Sequence, residues 1–269
     1  VKWWSPAPAL VMAGLLAGCV SDVERQPDVD GRGDVVAAEE ESTYLGPEEL
    51  RGELRSLIRD VNAEHGGRSG VAVATADGVA HSGLSGNSWA WSTIKVPVAL
   101  VADERGVATE ELIEASISSS DNDAAYALST LLEGDYGELP HVPEITEPPG
   151  ETKWRLEDQA LFATQLPCVD EAGTTYGAMG DIVEWQQRGL AEIPGAHFKG
   201  GWGYDTDTIY TLRQFGTAEV DGGVVGLALI THPDDGSHDT AEAILDDLGD
   251  GLKKLLDARS IGPAVTCSA

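Results

Sequence analysis

Ser92 and Lys95 stand three positions apart in Trp91-Ser92-Thr93-Ile94-Lys95-Val96-Pro97, at the head of an apolar run. On a helix, residues three apart share a face, so the lysine would lie over the serine on the side that otherwise packs into a core. A serine hydroxyl becomes an effective nucleophile when a base takes its proton. Lysine can be that base when burial or a neighbouring positive charge keeps it neutral part of the time. A helix start adds a positive dipole end and free N–H groups able to hold an oxyanion. The alternative is a surface lysine whose stem covers apolar neighbours. A serine and a lysine at this spacing recur by chance and do not separate the two.

Two further clusters carry polar groups where the pattern calls for apolar ones. Ser118-Ser119-Ser120-Asp121-Asn122-Asp123 interrupts a helical run that includes Ile113, Ala115, Ile117, Ala124 and Ala125. Ser, Asp and Asn are poor residues inside a helix, so the cluster is either a solvated turn between two shorter helices or a functional break. His197-Phe198-Lys199-Gly200-Gly201-Trp202-Gly203 places a lysine and several glycines on a predicted strand. Glycine in a strand lets a ligand or another backbone approach, or marks an edge strand that turns.

The elements that must hold these clusters follow from periodicity. Leu50, Leu54, Leu57, Ile58 and Val61 repeat at helical spacing over 48–64, with Pro47 suited to the first turn. Residues 70–84 alternate around Asp77-Gly78 and predict a β-hairpin. Ser92 to Glu104 predicts a helix that Gly106 ends. Thr109 can cap another that runs to Leu132. Residues 141–151, with Pro143, Pro148, Pro149 and Gly150, predict a loop. Helices are predicted over 156–166, 179–190 and 239–258, and strands over 196–203, 209–220 and 223–231. This order predicts an α+β fold: an antiparallel sheet assembled from both ends of the chain, flanked by N- and C-terminal helices, with a helical lobe inserted between.

The chain has 269 residues and a formal net charge of −29. Such a surface repels nucleic acid and anionic lipid head groups, so no nucleic-acid partner is expected. Lys2, the apolar run 9–16 and Leu16-Ala17-Gly18-Cys19 have the order of a secretory signal, too short to span a membrane. The last four residues resemble the bacterial lipobox. That likeness implies a signal peptide over 1–18, lipidation at Cys19 and anchoring at the extracytoplasmic face of the cell membrane; an ordinary signal peptide with a chance cysteine is the alternative. The acidic stretch 19–43 reads as a tether, and 44–269 as one domain, expected to be monomeric. Cys168 and Cys267 form a disulfide or remain two buried thiols; an extracytoplasmic site favours the disulfide. The six histidines never fall at i, i+4 and no CxxC occurs, so neither a metal nor another cofactor is expected.

Taken in order, Ser92-Thr93-Ile94-Lys95, Ser120-Asp121-Asn122 and Lys199-Gly200-Gly201 resemble the SxxK, SDN and KTG boxes of penicillin-recognising serine enzymes, most nearly the class A β-lactamases and related actinobacterial serine hydrolases. The resemblance spans residues 44–269 and implies a role for each matched residue. Ser92 would be the acylated nucleophile, Lys95 its base and Ser120 a proton shuttle to the leaving nitrogen. Asn122 would bind a substrate amide and support Lys95. Lys199 would attract a substrate carboxylate, Gly201 would complete the box, and the N–H groups of Ser92 and Trp202 would form the oxyanion hole. The implied partner is a β-lactam or a peptidoglycan-derived amide ending in D-Ala.

Three departures qualify the likeness. Ser120 lies only 28 positions after Ser92, which implies a shortened helical lobe and the loss of one wall of the cleft. Gly200 replaces a Thr or Ser whose hydroxyl would bind the carboxylate, a contact worth about 1.5–3 kcal/mol; Thr206, Thr208 and Thr211 are candidates to replace it. The Glu-then-Asn pattern of the deacylating loop is absent, since Asn122 is the last Asn of the chain. Glu138, Glu144, Glu147 and Glu151 lie in the corresponding region with nothing to choose between them. The resemblance therefore implies an acyl-Ser92 hydrolase slow to deacylate. A non-catalytic lipoprotein that binds the wall or a partner is the alternative.

Overall fold

The structure is a computed structural model, which describes residues 44–170, 173–206 and 209–264. The signal-like stretch, Cys19 and the acidic segment lie outside the described residues, as do Thr208 and Cys267. Cys168 is disulfide-bonded. No helix among the described residues is long and apolar enough to cross a membrane.

The chain forms an α+β fold around one five-stranded antiparallel sheet. Helix α1 (Pro47–His65) leads into the hairpin β1 (Gly67–Thr75) and β2 (Gly78–Gly83). After a short strand β3 (Ser88–Trp89) and a 3-10 turn (Trp91–Ile94) come α2 (Lys95–Glu104), α3 (Glu110–Ser118) and α4 (Asn122–Leu131). A long loop returns through β4 (Lys153–Trp154) to α5 (Leu156–Val169) and α6 (Thr174–Met179). The strands β5 (His197–Thr206), β6 (Ile209–Val220) and β7 (Gly223–Pro233) follow, and α7 (His238–Ala258) closes the fold. The sheet runs β2-β1-β7-β6-β5, so the two ends of the chain meet where β1 pairs with β7. This leaves β5 at an edge.

Each face of the sheet has its own core. Leu50, Leu54, Ile58 and Val61 of α1 and Ile244, Leu245, Leu248 and Leu252 of α7 pack against Val71, Val73, Leu227 and Leu229. On the other face α2, α3, α4 and α5 bury Val98, Ile113, Leu128, Phe162 and Leu166 against Ala72, Phe215, Ala228 and Ile230. Strand β7 reads as a near-continuous apolar run because it is covered on both sides. The terminal helices, the hairpin and the three C-terminal strands match the periodicity that predicts them.

Two predicted helices differ. The run from 109 to 132 is two helices, α3 capped by Thr109 and α4 capped by Asp121, whose carboxylate accepts from Ala124 N at 2.8 Å. The region 179–190 is not a helix: α6 ends at Met179 and two 3-10 turns follow at 184–186 and 189–192. Its polar groups serve the rest of the fold instead. Val183 N donates to Ser118 O at 3.1 Å and Gln186 Nε2 to Ser119 O at 2.9 Å. These bonds brace the break between α3 and α4.

Candidate active site

Ser92 lies on the 3-10 turn, one turn before α2, and Lys95 opens the helix. The turn is held from two sides. Ala90 N donates to Thr152 O at 2.8 Å. On the other side runs β5: a Cβ on Gly201 would sit 2.8 Å from Ser92 N and 2.9 Å from Ala90 O, so the edge strand approaches this closely only because position 201 has no side chain. Trp91, beside the serine, takes a left-handed backbone (φ 51°). Its indole N–H donates to Asp205 Oδ1 at 3.0 Å.

Lys95 is only 6 % exposed. Its amine donates to Ser120 O and Asn122 Oδ1, both at 2.7 Å, with Ser120 Oγ and Asp121 O at 3.3 Å. The polar break is a turn between two shorter helices, exposed at Asp121, Asn122 and Asp123, and it also has a structural purpose in binding Lys95. Ser120 adopts a left-handed backbone (φ 59°) that turns its carbonyl to the lysine. Asp121 caps α4, and Asn122 presents its side-chain oxygen. The Ser92 hydroxyl, by contrast, has no hydrogen-bond partner among the described residues. The amine of Lys95 shares the cleft with Ser92, and its hydrogen bonds go to the Ser120–Asn122 turn.

Lys199, fully buried on β5, donates to Ser120 Oγ at 2.9 Å and to Gly200 O at 3.0 Å. The Ser120 hydroxyl thus lies between two amines. Burial lowers the Lys95 pKa to about 8, partly offset by nearby Asp121. Complete burial, and then the charge of Lys95, hold Lys199 well below the usual lysine range. Two amines that share one hydroxyl cannot both carry a proton cheaply.

These groups open onto a cleft of about 800 Å³. Its lining includes Ser92, Lys95, Ser120, Asn122 and Trp202, so five of the predicted site residues meet there. Trp202 forms a wall without filling the space, and its ring meets Trp185 edge-on at 5.8 Å. The shortened lobe still supplies a wall, through Tyr126, Ser129 and Thr130 of α4. The opposite rim is the proline-rich loop. Of the four candidate glutamates, Glu147 lines the cleft; it precedes a cis proline and accepts a hydrogen bond from the Tyr136 hydroxyl. Periodicity could not single it out, because the loop has none.

Sequence reasoning missed Arg213. It pairs with Gly201 across β5 and β6 and is fully buried. Its guanidinium donates to Trp89 O at 2.9 Å, Trp154 O at 2.7 Å and Gln159 Oε1 at 2.7 Å, with Gly86 O and Ser88 O at 3.3 Å. It clamps β3 and β4 together behind the serine turn. A lone arginine in the run Ile209–Val220 is the signal that could have found it. Of the proposed substitutes for the missing hydroxyl at Gly200, Thr208 lies outside the described residues, Thr206 keeps its hydroxyl proton to donate, and Thr211 is otherwise engaged. Thr211 is fully buried and donates to Asp205 Oδ2 at 2.8 Å, and Thr206 Oγ1 accepts from Ile209 N at 3.2 Å. Far from the cleft, Glu64, His65 and Asp247 come together, with His65 Nε2 2.6 Å from Asp247 Oδ2; sequence spacing does not reveal this group, because α1 and α7 supply it jointly.

No protein-family model and no curated protein matches the chain. Solved structures do. A β-lactamase from Chitinophaga pinensis aligns with a TM-score of 0.60 over 75% of this chain and 98% of its own, at 14% identity. A class A β-lactamase from Mycobacterium abscessus gives 0.57 over 76% and 99%, at 15% identity. A β-lactamase from Burkholderia vietnamiensis gives 0.58 over 74% and 95%, at 18% identity. At such identities the likeness is one of architecture: the chain has the fold of the class A β-lactamases.

Proposed function

We propose that this protein is an extracytoplasmic, lipid-anchored serine hydrolase that works through an acyl-Ser92 intermediate on an amide or ester, of which β-lactams and D-Ala-type amides are the reagents to hand. The observation that carries the reading is the Lys95–Ser120–Lys199 chain of hydrogen bonds opening beside Ser92. A neutral Lys95 has two N–H groups, matched by the two acceptors at 2.7 Å. Its lone pair is then left to take a proton. With a pKa of about 8, about a tenth of the amine is neutral at pH 7. Ser92 O attacks the carbonyl carbon as its proton passes to Lys95. The proton continues to Ser120, and the Ser120 hydroxyl gives it to the leaving nitrogen or oxygen. Lys199 orients Ser120, and the N–H groups of Ser92 and Trp202 hold the oxyanion.

Hydrolysis of the acyl-enzyme needs a base for water. Glu147 is the residue for that role, with Oε1 held by Tyr136 and Oε2 free to bind water. No asparagine follows to hold the water's other side, so deacylation is slow. Intact mass tests both steps: a β-lactam or an activated ester should add its acyl group to the wild type and not to Ser92→Ala. Glu147→Gln should leave acylation unchanged and lengthen the adduct's lifetime about 100-fold. Absence of any adduct, with every donor tried, would reject the enzyme in favour of a binding lipoprotein, the reading that Gly200 favours. Anchoring at Cys19 rests on the lipobox likeness, and Cys19→Ala should release the protein from membranes.

A further inference from the structure

The cleft lacks what an anionic substrate needs. Its lining carries the acidic side chains Glu133 and Glu147, and the one cation on it, Lys95, is turned into the Ser120–Asn122 turn. Lys199 is not on the cleft wall: it has no exposed surface, and its amine is used by Ser120 Oγ and Gly200 O. Burial also disfavours its charge. The Thr211 hydroxyl, fully buried, donates to Asp205 Oδ2. Beyond Trp202, Arg188 lies 3.6 Å from Glu242 and 3.7 Å from Asp246, and His238 lies 3.7 Å from Glu242. The Arg188 guanidinium therefore already has two carboxylate partners. Its walls are largely apolar, with Trp91, Trp202, Ile94, Val98 and Tyr126, the last 76 % exposed, and its other polar groups, among them Asn122, Ser129 and Thr130, are neutral. A carboxylate entering it would lose water without gaining a free cation, and would cross the field of a chain with a net charge of −29.

We infer that the acyl donor is an uncharged aromatic or apolar ester or amide, with no carboxylate beside the scissile bond, and that the acidic, apolar lining of the cleft sets this preference. The inference rests on Ser92 being the nucleophile.

The test compares matched donors that differ by one charge: benzylpenicillin against its methyl ester, and phenyl phenylacetate against its 3-carboxyphenyl counterpart. Acylation rates are read by quenched intact mass at low and high salt, and an uncharged fluorophosphonate reports separately on Ser92. The uncharged member of each pair should react at least about tenfold faster at low salt. The gap should narrow at high salt, because screening helps only the anion. Faster reaction of the anionic members overturns the inference while fluorophosphonate labelling leaves the acyl-Ser92 reading intact. Labelling of Ser92 without acylation by either uncharged donor overturns it equally. No labelling and no acylation removes the nucleophile, and the inference with it.

Discussion

Lys95 and Arg213 are buried cations, each hydrogen-bonded to neutral oxygens, and the Ser92 turn lies between the polar groups they organise. Arg213 donates to carbonyls of β3 and β4 and to Gln159. Burial lowers its pKa only to about 10, so it stays charged at neutral pH. Lys95 is bound by Ser120 and Asn122 but titrates near 8. A guanidinium spreads its charge over five donors and holds it when desolvated; an ammonium concentrates its charge and gives it up more readily. Burial thus leaves one cation a charged anchor and suits the other to the role of base that we propose for it.

The sharpest way to break that contrast is Lys95→Ala. It should reduce acylation by about 10⁴-fold, at the upper end of what a positioned base contributes, as measured with the fluorophosphonate or a β-lactam. Arg213→Met should do the reverse. It strands the carbonyls of Trp89 and Trp154, and the midpoint of urea unfolding should report a loss of about 1–3 kcal/mol for each. Arg213→Lys should recover little of it, since an ammonium cannot span acceptors on both strands. Acylation should fall about tenfold for each pH unit below about 8, as the neutral fraction of Lys95 falls. A flat profile between pH 6 and 8 would assign the base elsewhere.

The smallest effect sharpens the comparison through stability. The folded pKa of Lys95 lies below its unfolded value of 10.5, so the unfolded chain binds more protons between about pH 8 and 10.5. The cost of burying the charge is complete below about pH 8 and fades as pH rises through that window. The melting temperature of Lys95→Met relative to wild type should therefore drop across pH 8–10.5. An arginine titrating near 10 and above should show no such change below about pH 9.

How much of this was legible depends on where the partners lie in the chain. The helices α1 and α7 and the strands β6 and β7 are visible because burial imposes a period on adjacent residues. Ser92 and Lys95 are visible for the same reason: a lysine in an apolar run violates the pattern. The break at Ser119–Asp121 was visible as a violation too, but its cause was not, since Lys95 lies about 25 residues away. The region 179–190 misled because its spacing suits a helix, while its amides are bonded to Ser118 and Ser119. Arg213 and Glu147 are defined by oxygens and cleft walls from distant segments. Nothing in their immediate sequence records those contacts.

Ser120 shows what such a site asks of a single position. Its left-handed backbone favours glycine, asparagine or aspartate over serine. Its hydroxyl accepts from two lysines and keeps a proton to donate; glycine loses both functions and an ionised carboxylate the second. Conformational ease and the proposed proton transfer therefore select different residues at the same place. A screen for thermal robustness would tend to choose glycine at 120, and a screen for turnover would choose serine. Libraries of this protein sorted by the two criteria should diverge first at this residue.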